Sequence, residues 1–220
     1  MPFKKIYNMS FVGKKFPNIA VKAASSINLD IQINVLELAQ KENKKILLFW
    51  YPKDFTFVCP TEILAFQNAL SEFEKRNTIL IGASCDTAEV HFAWLNTPKN
   101  KGGIEGVTFP LLADSNRNLS SVLDILDGQF VDSENGDYQI EGDNVSYRAT
   151  YIIDEQGIVV HESINHMPIG RNVQEFLRLI DAYSHVQKYG EVCPANWQDG
   201  NEAMSATQES VSEYLSNHFK

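Results

Sequence analysis

Cysteine is scarce in this chain, and its three copies, Cys59, Cys85 and Cys193, form no C-x-x-C pair. The missing pair argues against a zinc ribbon and against a thioredoxin-type dithiol. An odd count without a signal peptide argues against a secreted disulfide framework. The five histidines, His91, His161, His166, His185 and His218, show no H-E-x-x-H or comparable ligand spacing, so neither a metal nor another cofactor is expected. Positive charge is also short. Lys and Arg total 19 against 28 Asp and Glu, a formal net charge of -9. No basic excess exists to neutralise phosphates, and a nucleic-acid partner is not expected. Long apolar runs are missing too, and Met1 to Lys15 holds no apolar h-region. No membrane segment is therefore expected, and the expected location is cytoplasmic.

What is there is ordinary for a globular chain. Hydrophobic residues make up 44% and charged residues 21% of 220 positions, which suits one domain with an added arm. Residues 18–22 and 27–33 alternate apolar and polar, as short antiparallel strands do. Val35 to Lys41 suits a short helix. Ile46 to Tyr51 is almost continuously apolar, the mark of a strand covered on both faces in mid-sheet. Ile63, Phe66, Leu70 and Phe73 line one face of a helix running to Glu74. Thr78 to Ser84 is a second buried strand, and Asp86-Thr87 starts another helix. Asp114-Ser115 is expected to cap a helix reaching about Leu126. The acidic stretch from Asp127 to Asn144 reads as a surface loop or hairpin insertion. Tyr147 to Ile164 is a hairpin turning at Asp154 to Gly157. Asn172 to Val186 is an amphipathic helix, with a last short helix near Val211 to Phe219. Strand, helix and strand followed by a hairpin and helix is a thioredoxin-like α/β pattern with a mixed central sheet, here with an N-terminal β addition. The expected division is residues 1–188 for this domain and 189–220 for a C-terminal arm.

Cys59 stands where the apolar strand gives way to a helix. Backbone N–H groups there lack intrahelical partners and the helix dipole is positive, which favours a thiolate. Pro52, Thr56 and Cys59 form P-x-x-x-T-x-x-C. Thr56 is expected to cap the helix and to donate a hydrogen bond near the sulfur. Pro52 is expected to shield the pocket and stiffen its entry, and Pro60 is tolerated in a first turn. Arg148 sits in an otherwise apolar strand, with Tyr147 and Thr150 taken to share its register. Arg171 is read as opening a helix. Cys85 ends a buried strand and reads as a core residue.

These stretches resemble a family. Phe55 to Glu62 reads F-T-F-V-C-P-T-E, Pro168 to Asn172 reads P-I-G-R-N, and Gly190 to Trp197 reads G-E-V-C-P-A-N-W. With Tyr147-Arg148-Ala149-Thr150 ahead of Ile152-Ile153-Asp154, they resemble the 2-Cys peroxiredoxins of the alkyl hydroperoxide reductase C and thioredoxin peroxidase branch, from about Gly13 to the C-terminus. The resemblance implies a thiol-dependent peroxidase for hydrogen peroxide and organic hydroperoxides. It implies that Cys59 attacks, Arg148 supplies the cation, Thr56 orients the peroxide, and Glu62 and Arg171 support the network. It implies a disulfide from Cys59 to Cys193 of a neighbouring subunit in a homodimer, with five dimers to a decamer. A thioredoxin or a flavoprotein disulfide reductase would return the electrons. An oligomeric holdase or redox-signalling role is the alternative. The acidic stretch 132–143 is longer than the family leads one to expect and reads as a solvated insertion.

Overall fold

The computed structural model describes residues 10–132 and 138–219. The chain divides into two compact units between Arg171 and Asn172.

Among its described residues the first unit holds nine strands: β1 (Ala20–Ala24), β2 (Ile31–Asn34), β3 (Lys45–Trp50), β4 (Thr78–Ser84), β5 (Leu111–Ala113), β6 (Leu126–Asp132), β7 (Tyr138–Ser146), β8 (Arg148–Ile153) and β9 (Val159–Asn165). Seven of them form one sheet in the order β2-β1-β5-β4-β3-β8-β9. β3 runs parallel to β4 and antiparallel to β8, so the sheet is mixed, as its sequence pattern indicates. β1 and β2 join at one edge as the N-terminal addition. Every residue of β3 is buried, which explains its lack of alternation. Even Lys45 is enclosed, with its ammonium 3.2 Å from Glu155.

The helices of this unit are α1 (Val35–Glu42), α2 (Cys59–Asn68), α3 (Leu70–Lys75), α4 (Ala88–Leu95) and α5 (Asn118–Val122). Two expectations need correction. The helix read through Glu74 is broken at Ala69, whose φ of -96° and ψ of 3° leave the helical well. The apolar spacing survives the break: Phe66 stacks on Phe49 at 4.2 Å and meets Phe73 at 6.1 Å. The helix expected to reach Leu126 stops at Val122, because Asp124 turns left-handed at φ 55°. Asp114 still serves that helix from outside it, accepting hydrogen bonds from the Leu119 and Ser120 N–H groups.

Leu126 instead opens the two-stranded hairpin of β6 with β7, which pairs apart from the main sheet. The acidic insertion is thus a hairpin rather than an irregular loop. Its register shifts between Asp127 and Gln129. Gly142, at φ 102°, faces that shift, and a Cβ there would stand 2.9 Å from the Asp127 carbonyl oxygen. The β8–β9 turn falls at Asp154 to Gly157. Asp154 accepts from the Gln156 and Ile158 N–H groups, and a Cβ on Gly157 would lie 2.0 Å from Leu36.

The second unit holds α6 (Val173–Tyr189) and α7 (Gln208–His218). Asn172 and Thr207 cap them by accepting N–H bonds from Gln174 and Ser210. Between them Val192 and Met204 exchange two backbone hydrogen bonds, and the Trp197 indole donates to Asn201. No helix of the described residues is long and apolar enough to cross a membrane.

Candidate active site

Cys59 is the first residue of α2 and is 1% exposed. Val58 precedes it with helical angles and no side-chain cap, and Pro60 follows. Thr56 does not cap this helix. It lies two residues ahead of Val58, and its hydroxyl donates to the Lys53 carbonyl at 2.9 Å. Phe55, left-handed at φ 54°, bends the chain back to make that bond. The Thr56 oxygen is thereby left as an acceptor. Pro52 is buried just beyond β3.

Three charged side chains converge behind the sulfur. Arg148 Nη1 lies 3.5 Å from Cys59 Sγ and 2.6 Å from Glu62 Oε2, while its Nε donates to the Met167 carbonyl at 2.6 Å. Arg171 holds the other side of the same carboxylate, with Nε 2.9 Å from Oε1 and Nη2 3.1 Å from Oε2. Its backbone N–H also donates to Oε1 at 2.9 Å. These side chains are only 4%, 3% and 2% exposed for Arg148, Glu62 and Arg171. Burial pulls the Arg171 guanidinium below its ordinary value, and Glu62 opposes that pull. The guanidinium also lies over the rings of Phe49 and Phe66, at 5.1 and 5.7 Å.

Tyr147 does not share the register of Arg148, and Arg171 lies outside the helix that follows it. Tyr147 and Arg148 are neighbours, so their side chains point to opposite faces. Tyr147 donates to Asp127 at 2.9 Å, away from the sulfur, while Thr150 on the Arg148 face accepts from Arg171 Nη1 at 3.2 Å. Arg171 does not open a helix: Asn172 is the cap of α6, and Arg171 precedes it.

A neighbouring buried network escaped the sequence reading. His91 Nδ1 lies 2.8 Å from Asp54 Oδ2, and its Nε2 donates to the Leu112 carbonyl at 3.0 Å. Tyr51 reaches the same imidazole at 3.4 Å. The Asp54 N–H donates to Asp86 at 2.8 Å. Burial raises the Asp54 carboxyl above the usual range against the pull of His91, and it raises the Tyr51 hydroxyl as well. This network ties the loop before Cys59 to α4. Its one signal in the chain is a histidine among apolar neighbours, since a buried imidazole needs partners. Among the described residues no three His, Cys, Asp or Glu side chains converge as metal ligands.

All three cysteines are thiols. Cys85 is buried, with Sγ 3.8 Å from the Ser120 hydroxyl, and desolvation raises its thiol above the ordinary value. It is expected to resist alkylation by iodoacetamide near neutral pH until the protein is unfolded in urea, as peptide mass spectrometry would read. Rapid native labelling of Cys85 would contradict this placement. Cys193 belongs to the second unit. It is half-buried, its thiol donates to the Ala182 carbonyl at 3.6 Å, and burial raises it while Arg178 opposes. Arg178 also donates to the Trp197 carbonyl at 3.1 Å, and His185 lies 2.8 Å from Glu191, so the segment around Cys193 is fastened to α6.

Residues 12–162 match the model of the AhpC/TSA family, and residues 182–217 match that of the C-terminal domain of 1-Cys peroxiredoxin. Alkyl hydroperoxide reductase C of Helicobacter pylori is 45% identical over 79% of this chain and 80% of its own. The thioredoxin peroxidase of Echinococcus granulosus is 37% identical over 93% of this chain and 97% of its own. Among solved structures, the reduced 2-Cys peroxiredoxin of Plasmodium vivax superimposes with a TM-score of 0.83 at 40% identity, covering 94% of this chain and 99% of that one.

Proposed function

The chain belongs to the AhpC/TSA family of peroxiredoxins and is a thiol-dependent peroxidase; from that premise we propose that Cys59 attacks the hydroperoxide and Cys193 resolves the product. The observation that carries the assignment is the Arg148 guanidinium 3.5 Å from Cys59 Sγ. Two buried guanidinium groups share the single carboxylate of Glu62, leaving one positive charge in excess that a thiolate balances. Arg171 and Glu62 hold Arg148 in place. Thr56, its own hydroxyl hydrogen committed to the Lys53 carbonyl, accepts a hydrogen bond from the hydroperoxide O–H and so orients it. Pro52 packs at the entry.

The thiolate attacks the hydroxyl oxygen of the peroxide. An S–O bond forms, the O–O bond breaks, and two electrons pass from sulfur to the peroxide. The departing alkoxide or hydroxide takes a proton from solvent, and Cys59 is left as a sulfenic acid. Donors fixed near the sulfur stabilise the charge that develops on the leaving oxygen. The thiolate of Cys193 from a second subunit then attacks the sulfenic sulfur, hydroxide leaves and is protonated to water, and a disulfide remains. Formation of that bond requires the first turn of α2 to unwind, because Cys59 is enclosed as it stands. The two-cysteine names of the solved relatives support this step. We assign a homodimer, five to a decamer, as the working assembly. A thioredoxin is the proposed reductant, supported by the Echinococcus relative's name, with a flavoprotein disulfide reductase as the other arm of the assay.

One equivalent of hydrogen peroxide is expected to convert the protein to a disulfide-linked dimer on a non-reducing gel. Cys193→Ser is expected to stop at a Cys59 sulfenic acid, trapped by dimedone, and Cys59→Ser to gain no oxygen. If Cys59 gains neither oxygen nor a disulfide, the assignment of the attacking thiol fails. If the unmodified protein stops at the sulfenic acid without a dimer, the resolving role of Cys193 fails.

A further inference from the structure

The peroxidase reaction leaves the β6–β7 hairpin without work. Its returning strand ends at Ser146, shortly before Arg148, and touches the loop leading to Cys59 at two points. The buried Ser146 hydroxyl donates to the Tyr51 carbonyl at 3.0 Å. Asp143 Oδ2 lies 3.7 Å from Lys53 Nζ. The two grips stand on either side of Pro52, which has no N–H with which to tie this stretch to a neighbour. The carbonyl of Lys53 is the group that receives the Thr56 hydroxyl.

The hairpin is braced on the side facing away from its tip. Arg117 Nε donates to the Asn144 carbonyl at 2.8 Å, and the Tyr147 hydroxyl donates to Asp127. Gly142 and Gly128 close the bulge without room for a side chain on Gly142. Asp143 stands in that bulge, held on either side by the paired Glu141 and Val145.

We propose that Asp143 and Ser146 are positioning residues for peroxide reduction: they hold Tyr51 to Lys53 and, through the Lys53 carbonyl, set the direction of the Thr56 hydroxyl. This rests on the reading of Thr56 as the group that orients the peroxide at Cys59. Ser146 acts through a buried hydrogen bond that salt does not reach. Asp143 acts through an exposed ion pair that salt weakens.

The test is stopped-flow oxidation of Cys59 by hydrogen peroxide in the full chain, with melting temperatures measured alongside. Asp143→Asn and Lys53→Met are each expected to lower the second-order rate constant by about two- to fivefold, the scale of one exposed pair. The double variant is expected to be no slower than either single one. Exchanging the charges, Lys53→Asp with Asp143→Lys, is expected to restore the rate. The unmodified protein is expected to slow with added salt toward the Asp143→Asn rate, while that variant stays flat. Ser146→Ala is expected to lose about five- to tenfold at every salt concentration, because it strands a buried carbonyl. Single effects that multiply in the double variant, or an Asp143→Asn protein with unchanged rate and salt profile, would overturn the role of Asp143. A Ser146→Ala protein that melts lower yet oxidises at the normal rate would overturn that of Ser146. Failure of Cys59 itself to oxidise would show in the unmodified protein, and it would sink the peroxide reading along with this inference.

Discussion

Replacing Arg148 by alanine is expected to slow the reaction of Cys59 with hydrogen peroxide by about 10²–10³-fold, the usual cost of removing one fixed donor from a charge-developing site. The measurement is the bimolecular rate constant under single turnover, followed by intrinsic fluorescence or by quenched-flow mass analysis. Three bonds from one planar group explain the size. Nε donates to the Met167 carbonyl while Nη1 reaches both Glu62 and the sulfur. A lysine in its place would keep the charge but not the fork, so Arg148→Lys is expected to fall between the two proteins. An Arg148→Ala protein within about threefold of the unmodified rate would remove Arg148 from the reaction, since a purely structural arginine is worth no such factor at the chemical step.

The second large effect belongs to Glu62. Its carboxylate is all that two enclosed guanidinium groups share at their meeting point, with contacts of 2.6 Å to Arg148 and 2.9 Å to Arg171. Glu62→Ala leaves both cations without that partner and is expected to cost about 3–5 kcal/mol of stability. For a chain of this size that corresponds to a melting point lower by roughly 6–20 °C. Glu62→Gln keeps the volume and one acceptor oxygen, and a smaller loss is expected. The loss should persist at high salt, because the pair is shielded from solvent ions. Calorimetry or urea titration checks it. A Glu62→Ala protein that unfolds within about 1 kcal/mol of the parent would mean that the two arginines find other partners and that Glu62 is not what balances them.

Several elements were legible because their signals are local. The uninterrupted apolar run of β3 announced a strand covered on both sides, and Asp154 with Gly157 announced the turn between β8 and β9. The strand-to-helix junction at Cys59 was readable for the same reason. Thr56 shows the limit of such reading. Its spacing from Cys59 suits a cap, yet the left-handed Phe55 redirects its hydroxyl to Lys53. Tyr147 shows another: it stands beside Arg148 in sequence, and strand alternation sends it to Asp127 instead. The acidic insertion was visible by composition as a loop or a hairpin, and the pairing of β6 with β7 decided for the hairpin.

The chain by itself determined which residue types were on hand: a cysteine at a helix start, a short supply of other thiols, an apolar central strand, and motifs whose likeness to a family nominated Arg148, Glu62 and Arg171. The tertiary structure decided which of them meet. Glu62 is 86 positions from Arg148 and 109 from Arg171. Their convergence follows from β8 pairing with β3 so that Thr150 stands opposite Phe49, which turns the Arg148 face of β8 toward α2. The pairing of Asp54 with His91 depends likewise on where α4 packs. Periodicity reports on neighbours a few residues apart. A buried charge is balanced by whatever the register brings within about 3 Å, and register is settled only when the whole sheet closes.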